Sequence, residues 1–312
     1  MAGGQERLLR RRIRSVQSTK KITRAMELIA ASQIVRSLTR VAANRPYREG
    51  MARIVVEAAK GDPAAAAKLL GEPEERRAVA VLAIVADRGL SGPYNSSTLR
   101  ATERLVVDLG AAGIDVQLFT VGKKAPSYFR FRRVPVVRSF VGMSERPAWS
   151  DARDAAAAVS APFLSGEVDQ VLLVSTRYRS AGSQVVETRQ LLPLPEPVDD
   201  SEERADAAQR ADAAQRADAA PGGYTEFEPD VETLLATLAP RAVESEIFTA
   251  LLEGAASFFT AQQRAMAAAS DNADELIRTL TRVMNRARQD AITTEIMEIV
   301  GGAEALRQSK GA

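Results

Sequence analysis

Residues 12–29 read Arg12-Ile13-Arg14-Ser15-Val16-Gln17-Ser18-Thr19-Lys20-Lys21-Ile22-Thr23-Arg24-Ala25-Met26-Glu27-Leu28-Ile29. Apolar side chains recur at Ile13, Val16, Ile22, Met26 and Ile29, and again at Leu38 and Val41, at the spacing of one helix face. From about Gln5 to Lys60 the only breakers are Pro46 and Gly50. The pattern predicts a helix of about 50 residues, about 75 Å long at the α-helical rise. A helix of that length needs a partner along it, because propensity alone seldom holds it. Pro46 is the point where it would kink or break.

The partner is at the other end of the chain. From Pro229 to about Arg307 the sequence is helical again, with Pro240 expected to mark a break near its start. Beyond it, Ile247, Leu251, Ala255, Phe258, Phe259, Met266, Leu276, Leu280, Val283, Ala287, Ile292, Ile296 and Ile299 advance mostly in steps of three and four. That predicts a second helix of about 65 residues, about 100 Å long. Each stripe can bury the other, so residues 1–60 and 229–312 are expected to form a long antiparallel coiled coil.

The residues between them change character. Ala78 to Ala86 is a continuous apolar run of strand length, followed by the turn Asp87-Arg88-Gly89-Leu90-Ser91-Gly92. A helical stretch from Ser97 to Leu109 precedes a second strand, Val116–Val121. Val134–Phe140 reads as a third strand, Asp151–Leu164 as a helix and Gln170–Ser175 as a buried strand. Gln184–Leu192 reads as an added edge strand. Alternating strands and helices predict an α/β, Rossmann-like domain with a largely parallel sheet over residues 75–198. Residues 199–223 are a low-complexity insertion. Its Arg-Ala-Asp-Ala-Ala-Gln unit recurs through residues 204–220, with no apolar face wider than alanine, which predicts a solvated insertion, partly helical or disordered.

Composition narrows the chemistry. The chain has 46% hydrophobic and 26% charged residues, normal for a globular protein, and a net charge of +2 that gives no global field for nucleic acid. It has no cysteine and no histidine, which excludes disulfides, thiolate nucleophiles, Cys/His zinc sites and Ser-His-Asp triads. No run of apolar residues is long enough to span a membrane. The first residues, Met1 to Glu6, lack the apolar stretch of a secretory signal, and the Arg-rich run after them continues into the helical pattern. The reading is a bacterial protein, cytoplasmic or peripheral to a membrane.

Four constellations invite a functional reading. The segment from Met1 to Val41 carries ten Lys or Arg against two acidic residues, a solvated helix face or a track for acidic partners. The strand-to-helix loop from Asp87 to Asn95 sits where phosphate loops sit. It lacks both glycine-rich signatures, which favours a structural turn over a ligand loop. Glu295 and Glu298 lie one helical turn apart. Without histidine partners, they read as solvated or partner-facing charges before they read as a metal or acid–base pair. Gly301-Gly302-Ala303 reads as the end of the second helix, frayed or shaped as a slim tip.

Taken together, these pieces resemble the gamma subunit family of F-type ATP synthases. The run from Arg12 to Glu27 is similar to that family's first-helix motif, and Asp87–Gly92 with Asn95 is similar to its central loop, with Ser91 where cysteine is usual. Ser270-Asp271-Asn272-Ala273, Asn285-Arg286-Ala287-Arg288-Gln289 and the run from Ile292 to Ala303 match its second helix and C-terminal signature. The resemblance covers nearly the whole chain in order.

The resemblance implies a non-catalytic central-stalk rotor without cofactor or metal, one copy per complex. It would turn inside a hexameric ring of alpha and beta subunits and couple proton flow through a membrane c-ring to ATP synthesis. The implied partners are alpha, beta, epsilon and the c-ring, at the cytoplasmic face of the bacterial membrane, with no nucleic acid. Lys20, Lys21 and Arg24, near Met26, together with Arg288, Gln289 and Thr293, match positions that meet beta. Glu228 matches the foot near the c-ring, and Gly301, Gly302 and Ala303 match a tip turning in an apolar bearing. Phe258 and Phe259 stand where the family shows a polar Glu-x pair, and Gln262 stands for an arginine, so one beta contact is expected to differ. The 204–220 repeat is not a family feature and is expected to protrude clear of the ring. The residues alone also admit a coiled-coil adaptor that binds another partner through its basic rod, and a nucleotide-dependent enzyme using the Asp87 loop.

Overall fold

The computed structural model describes residues 2–61, 76–194 and 231–310. The 204–220 repeat and Glu228 lie outside these residues. The elements run α1 (Ala2–Gly61), β1 (Ala78–Ile84), α2 (Tyr94–Ala111), β2 (Asp115–Val121), α3 (Lys124–Phe131), β3 (Val136–Phe140), α4 (Trp149–Leu164), β4 (Gln170–Tyr178), β5 (Gln184–Leu192) and α5 (Val231–Lys310).

Helices α1 and α5 hold 60 and 80 residues. Both are longer than the apolar patterns predicted, and neither stops at its proline. Pro46 and Pro240 lie inside their helices. A helical proline removes one backbone bond and crowds the preceding turn. Both prolines are exposed, so water can reach the carbonyl left free. Gly301-Gly302 likewise does not end α5, which continues to Lys310.

The chain divides into two compact units. The first comprises Met1–Ser32, Leu90–Gly92 and Thr260–Ala312; the second comprises Gln33–Gly89 and Pro93–Phe259.

The second unit is built on a five-stranded sheet of order β3-β2-β1-β4-β5. β1 pairs in parallel with β2 and β4, and β2 pairs in parallel with β3. β5 is the antiparallel edge strand expected from Gln184–Leu192. Central β1 buries both faces. Ala80, Leu82 and Ile84 pack with Ala152, Ala155 and Val159 of α4 and with Val243, Ile247 and Leu251 of α5. Val79, Val81, Ala83 and Val85 pack with Leu99 of α2 and Phe129 of α3. A strand covered on both sides reads as an unbroken apolar run, which is why Ala78–Ala86 shows no alternation.

Two helical segments close the second unit. Asn44 donates from Nδ2 to Thr249 Oγ1 at 2.8 Å, and Arg48 Nε donates to Glu246 Oε1 at 2.9 Å. Rising numbers on α1 thus meet falling numbers on α5, an antiparallel pairing. Tyr47 packs edge-on against Trp149 at 5.4 Å, and Trp149 against Phe248 at 5.2 Å, tying both helices to the start of α4. The Arg40 guanidinium donates to the Pro147 carbonyl.

Candidate functional surface

The first unit is the remainder of the helix pair. Lys20 Nζ donates to Asp274 Oδ1 at 2.6 Å, and the Thr23 and Ser270 hydroxyls are 2.7 Å apart, again an antiparallel register. On α1 of this unit Glu6, Leu9, Ile13, Val16, Lys20, Thr23, Glu27 and Ala30 are buried or half-buried and recur in alternating steps of three and four, with Met26 and Ala31 half-buried beside them. On α5 the matching row of buried and half-buried positions is Met266, Ser270, Ala273, Ile277, Leu280, Met284, Ala287 and Ala291.

This seam corrects the apolar stripe read from the sequence. After Val16 that stripe runs one position off the seam. Ile22 and Ile29 are each 60% exposed, while their neighbours Thr23 and Ala30 are buried. On α5, Leu276 and Val283 are exposed, while Ile277 and Met284 face inward. In the second unit Ser37 is buried and Leu38 only half-buried. On α1 the inward positions Thr23 and Ala30 are small or hydroxylated and the larger Ile22 and Ile29 turn outward, while on α5 the inward Ile277 and Met284 are themselves large. Hydrophobicity alone therefore chose the wrong neighbour.

Ile292, Ile296 and Ile299 do not belong to the seam at all. Gln5, close to the start of α1, lines a shallow groove with Val283, Arg286, Ala287, Asp290, Ala291 and Thr294. Beyond Thr294, α5 outruns its partner. Every position from Glu295 to Ala303 is exposed, including Ile296, Met297, Ile299 and Val300.

The residues singled out in the sequence fall at separate levels of this unit. Lys20 commits its ammonium to Asp274, and Arg24 NH1 donates to both carboxylate oxygens of Glu27 at 2.8 Å. Lys21 is exposed and Met26 half-buried. Arg288, Gln289 and Thr293 are exposed, and Thr293 Oγ1 donates to the Gln289 carbonyl at 3.0 Å. They lie about 20–30 Å along α5 from the Lys20–Asp274 pair, and Gly301–Ala303 about 40 Å from it, at the helical rise. Glu295 and Glu298 are exposed, and no group of potential metal ligands occurs among the described residues.

Phe258 and Phe259 are not on a partner-facing surface. Both are buried, and Phe258 lies 5.8 Å from the Tyr94 ring and 5.3 Å from Phe259. Gln262 is buried as well. These side chains belong to the interior, where Phe258 and Phe259 form an aromatic cluster with Tyr94.

The Asp87 loop is internally satisfied. The Asp87 carboxylate accepts from Lys123 N at 3.1 Å, Gly142 N at 3.0 Å, and Ser144 N and Oγ at 3.3 and 2.7 Å. Burial alone would raise its pKa, but the bonds from Gly142, Ser144 and Lys123 outweigh it and hold the carboxyl below its ordinary range. Asn95 closes the other side, accepting from Ala86 N and donating to the Arg88 carbonyl, both at 2.9 Å. A carboxylate with this many donors fastens the ends of three strands; it has little capacity left for a ligand. Gly122 belongs to the same corner. Its φ is +95°, and a Cβ there would lie 2.3 Å from the Val85 carbonyl oxygen.

A charged cluster on α5 went unnoticed in the sequence. Glu246 accepts from Arg48 of α1 at 2.9 Å and from Arg189 of β5 at 3.3 Å, so one carboxylate holds a helix and the sheet. Two turns on, Glu253 is buried and its Oε2 has no hydrogen-bond partner. Burial pushes its pKa up, against the pull of Arg189, Arg177 and Arg48 and with a further push from Glu246. The only signal for the cluster was a pair of glutamates at seven-residue spacing within an apolar helix.

A family model described as ATP synthase matches residues 5–306. The ATP synthase gamma chain of Parafrankia sp. (strain EAN1pec) is 46% identical over 307 residues, covering 97% of this chain and 98% of that one. The ATP synthase gamma chain of Acidothermus cellulolyticus is 45% identical over 308 residues, with 97% and 98% covered. Among solved structures, a chain of the Euglena gracilis mitochondrial ATP synthase (OSCP/F1/c-ring) aligns with a TM-score of 0.68 at 18% identity, over 99% of this chain and 97% of that one. A chain of the Tetrahymena thermophila mitochondrial ATP synthase central stalk/c-ring aligns with a TM-score of 0.59 at 24% identity, over 80% and 99%. The structural likenesses establish a shared fold.

Proposed function

The chain belongs to the ATP synthase gamma family, and from that premise we propose that it works as the rotor of the central stalk. It turns inside the alternating alpha and beta subunits and couples ion flow through the membrane c-ring to ATP synthesis in beta. It is a non-catalytic subunit, and the complex it serves is membrane-associated.

The observation that best supports this reading is the end of α5. Past Thr294 a single helix carries Ile296, Met297, Ile299 and Val300 into solvent. An exposed apolar patch of that kind marks a surface that is covered in use. An apolar bearing formed by the surrounding ring is such a cover, with Gly301, Gly302 and Ala303 keeping the turning end slim. A two-helix rod is not threefold symmetric, so each beta subunit meets a different set of contacts. Only differential contacts can move a site between binding states. Turning the rod then cycles each beta through those states, and cycling the sites turns the rod.

We assign Lys20, Lys21 and Arg24, beside Met26, to acidic loops of beta at one level, and Arg288, Gln289 and Thr293 to beta contacts nearer the tip. Glu228 is assigned to the foot, near the c-ring. No helix of the described residues is long and apolar enough to cross a membrane, which suits attachment through the c-ring at the cytoplasmic face. Reconstitution tests the reading. Adding this chain to alpha and beta subunits should raise their ATPase activity; no gain contradicts it.

A further inference from the structure

Strand β3 is one edge of the sheet. Its inner side pairs with β2 from Leu118↔Val136 to Val121↔Phe140, with an irregularity between Leu118 and Phe119. No described strand pairs with its outer side. A row of unpaired N–H and C=O groups is a template for another strand.

The two sheet edges differ in charge. Around β5, Glu187 takes Arg179 at 3.0 Å and Arg177 at 3.6 Å, and Arg189 takes Glu246. Around β3, Arg130 and Arg133 precede the strand and Arg138 lies within it. All three are exposed, and none makes an ion pair among the described residues. Arg132, between them, is already held by Glu103 at 3.0 Å. Arg138 lies 4.9 Å over the Phe140 ring. Apolar groups stand among these arginines: Phe131 is 82% exposed and Val137 58%. Charges on an edge strand can serve only to repel other edges. Such a guard gains nothing from an exposed Phe and Val beside it.

We propose that the outer edge of β3 receives an extended acidic segment of a partner subunit as a sixth strand of the sheet; this rests on the chain being one subunit of a larger complex. Backbone pairing supplies affinity, the exposed Phe131 and Val137 give the segment apolar contact, and Arg130, Arg133 and Arg138 select carboxylates. An anionic lipid surface satisfies the arginines but leaves the backbone edge unpaired.

The chain has no cysteine, so Val137→Cys is its sole thiol. The variant is assembled into the membrane-bound complex, and the thiol is treated either with a water-soluble maleimide or with a photoreactive maleimide. Val141→Cys, also exposed, serves if the first variant assembles poorly. Expected are a reaction about tenfold slower in the complex than in the free chain, and a photo-crosslink to an acidic stretch of another subunit. Both should be lost when Arg130, Arg133 and Arg138 are replaced by Gln. Unchanged reactivity, a crosslink to lipid alone, or one to a neutral or basic segment overturns the proposal. Assembly and ATPase stimulation, read in the same preparation, test the rotor reading separately.

Discussion

The hydroxyls of Thr23 on α1 and Ser270 on α5 stand 2.7 Å apart, both buried in the seam of the helix pair. Each is also placed to donate to its own helix, Thr23 to the Lys20 carbonyl at 3.0 Å and Ser270 to the Met266 carbonyl at 2.9 Å. A hydroxyl has one proton, so one group spans the seam while the other bonds backward.

Removing that pair should be mild and enlarging it severe. Thr23→Val keeps the shape and leaves Ser270 its backbone acceptor, so denaturant unfolding of the full chain should show a loss of about 1 kcal/mol. Thr23→Leu forces a larger side chain into a close approach and should cost about 1–3 kcal/mol. Ile22→Ser, one residue away but exposed, should stay within about 0.5 kcal/mol. A larger loss for Ile22→Ser than for Thr23→Leu would reverse the seam.

Asp87 should make stability depend on acid. Its carboxyl is held below the ordinary value of 3.8 in the fold, so its contribution is full above that value and is lost as pH falls through the lower, folded one. Asp87→Asn should therefore unfold more readily than the parent at neutral pH, by about 1–3 kcal/mol. The gap between the two should close in acid. A gap that persists unchanged below pH 3.8 would contradict the assignment.

Gly122 cannot carry a side chain. With φ at +95° and the Val85 carbonyl oxygen 2.3 Å from the site of a Cβ, Gly122→Ala adds strain to a clash with backbone. A loss of about 1–3 kcal/mol is expected from thermal or denaturant unfolding. Gly113, with φ +77° but open space around it, should lose less on the same change.

Glu253 works in the opposite direction to Asp87. Burial raises its pKa above the ordinary 4.5, so the fold prefers it neutral, and its favourable contribution is present below 4.5 and lost as pH rises through the folded value. Glu253→Gln should therefore stabilise the chain at neutral pH and bring no gain below pH 4.5. Unfolding curves across that range check it; destabilisation at neutral pH would mean that the Arg189 side of the cluster depends on the charge.

The elements that bury two faces or carry long periodicity were legible in the sequence. β1 was marked by its apolar run, β5 by its place after the last buried strand, and both long helices by their spacing. The seam itself was less legible. Thr23, Ala30, Ser37 and Ser270 pack there because they are small, and a hydrophobicity pattern passes over them in favour of Ile22 and Ile29. Prolines misled for a related reason: Pro46 and Pro240 sit on outward faces, where a missing backbone bond is tolerated. The overhang of α5 depends on where α1 begins relative to it, a register that neither helix encodes alone. The Glu246–Arg189 contact joins residues far apart in the chain, so no local pattern announced it.

Rotation is the central claim, and it can be watched. In a complex fixed by its alpha and beta subunits, a probe is attached to a single cysteine placed at Leu164, an exposed position in this cysteine-free chain. When ATP is supplied, the probe should turn continuously in one direction, at a rate that follows ATP hydrolysis. A probe that stays fixed while the complex hydrolyses ATP would contradict the account.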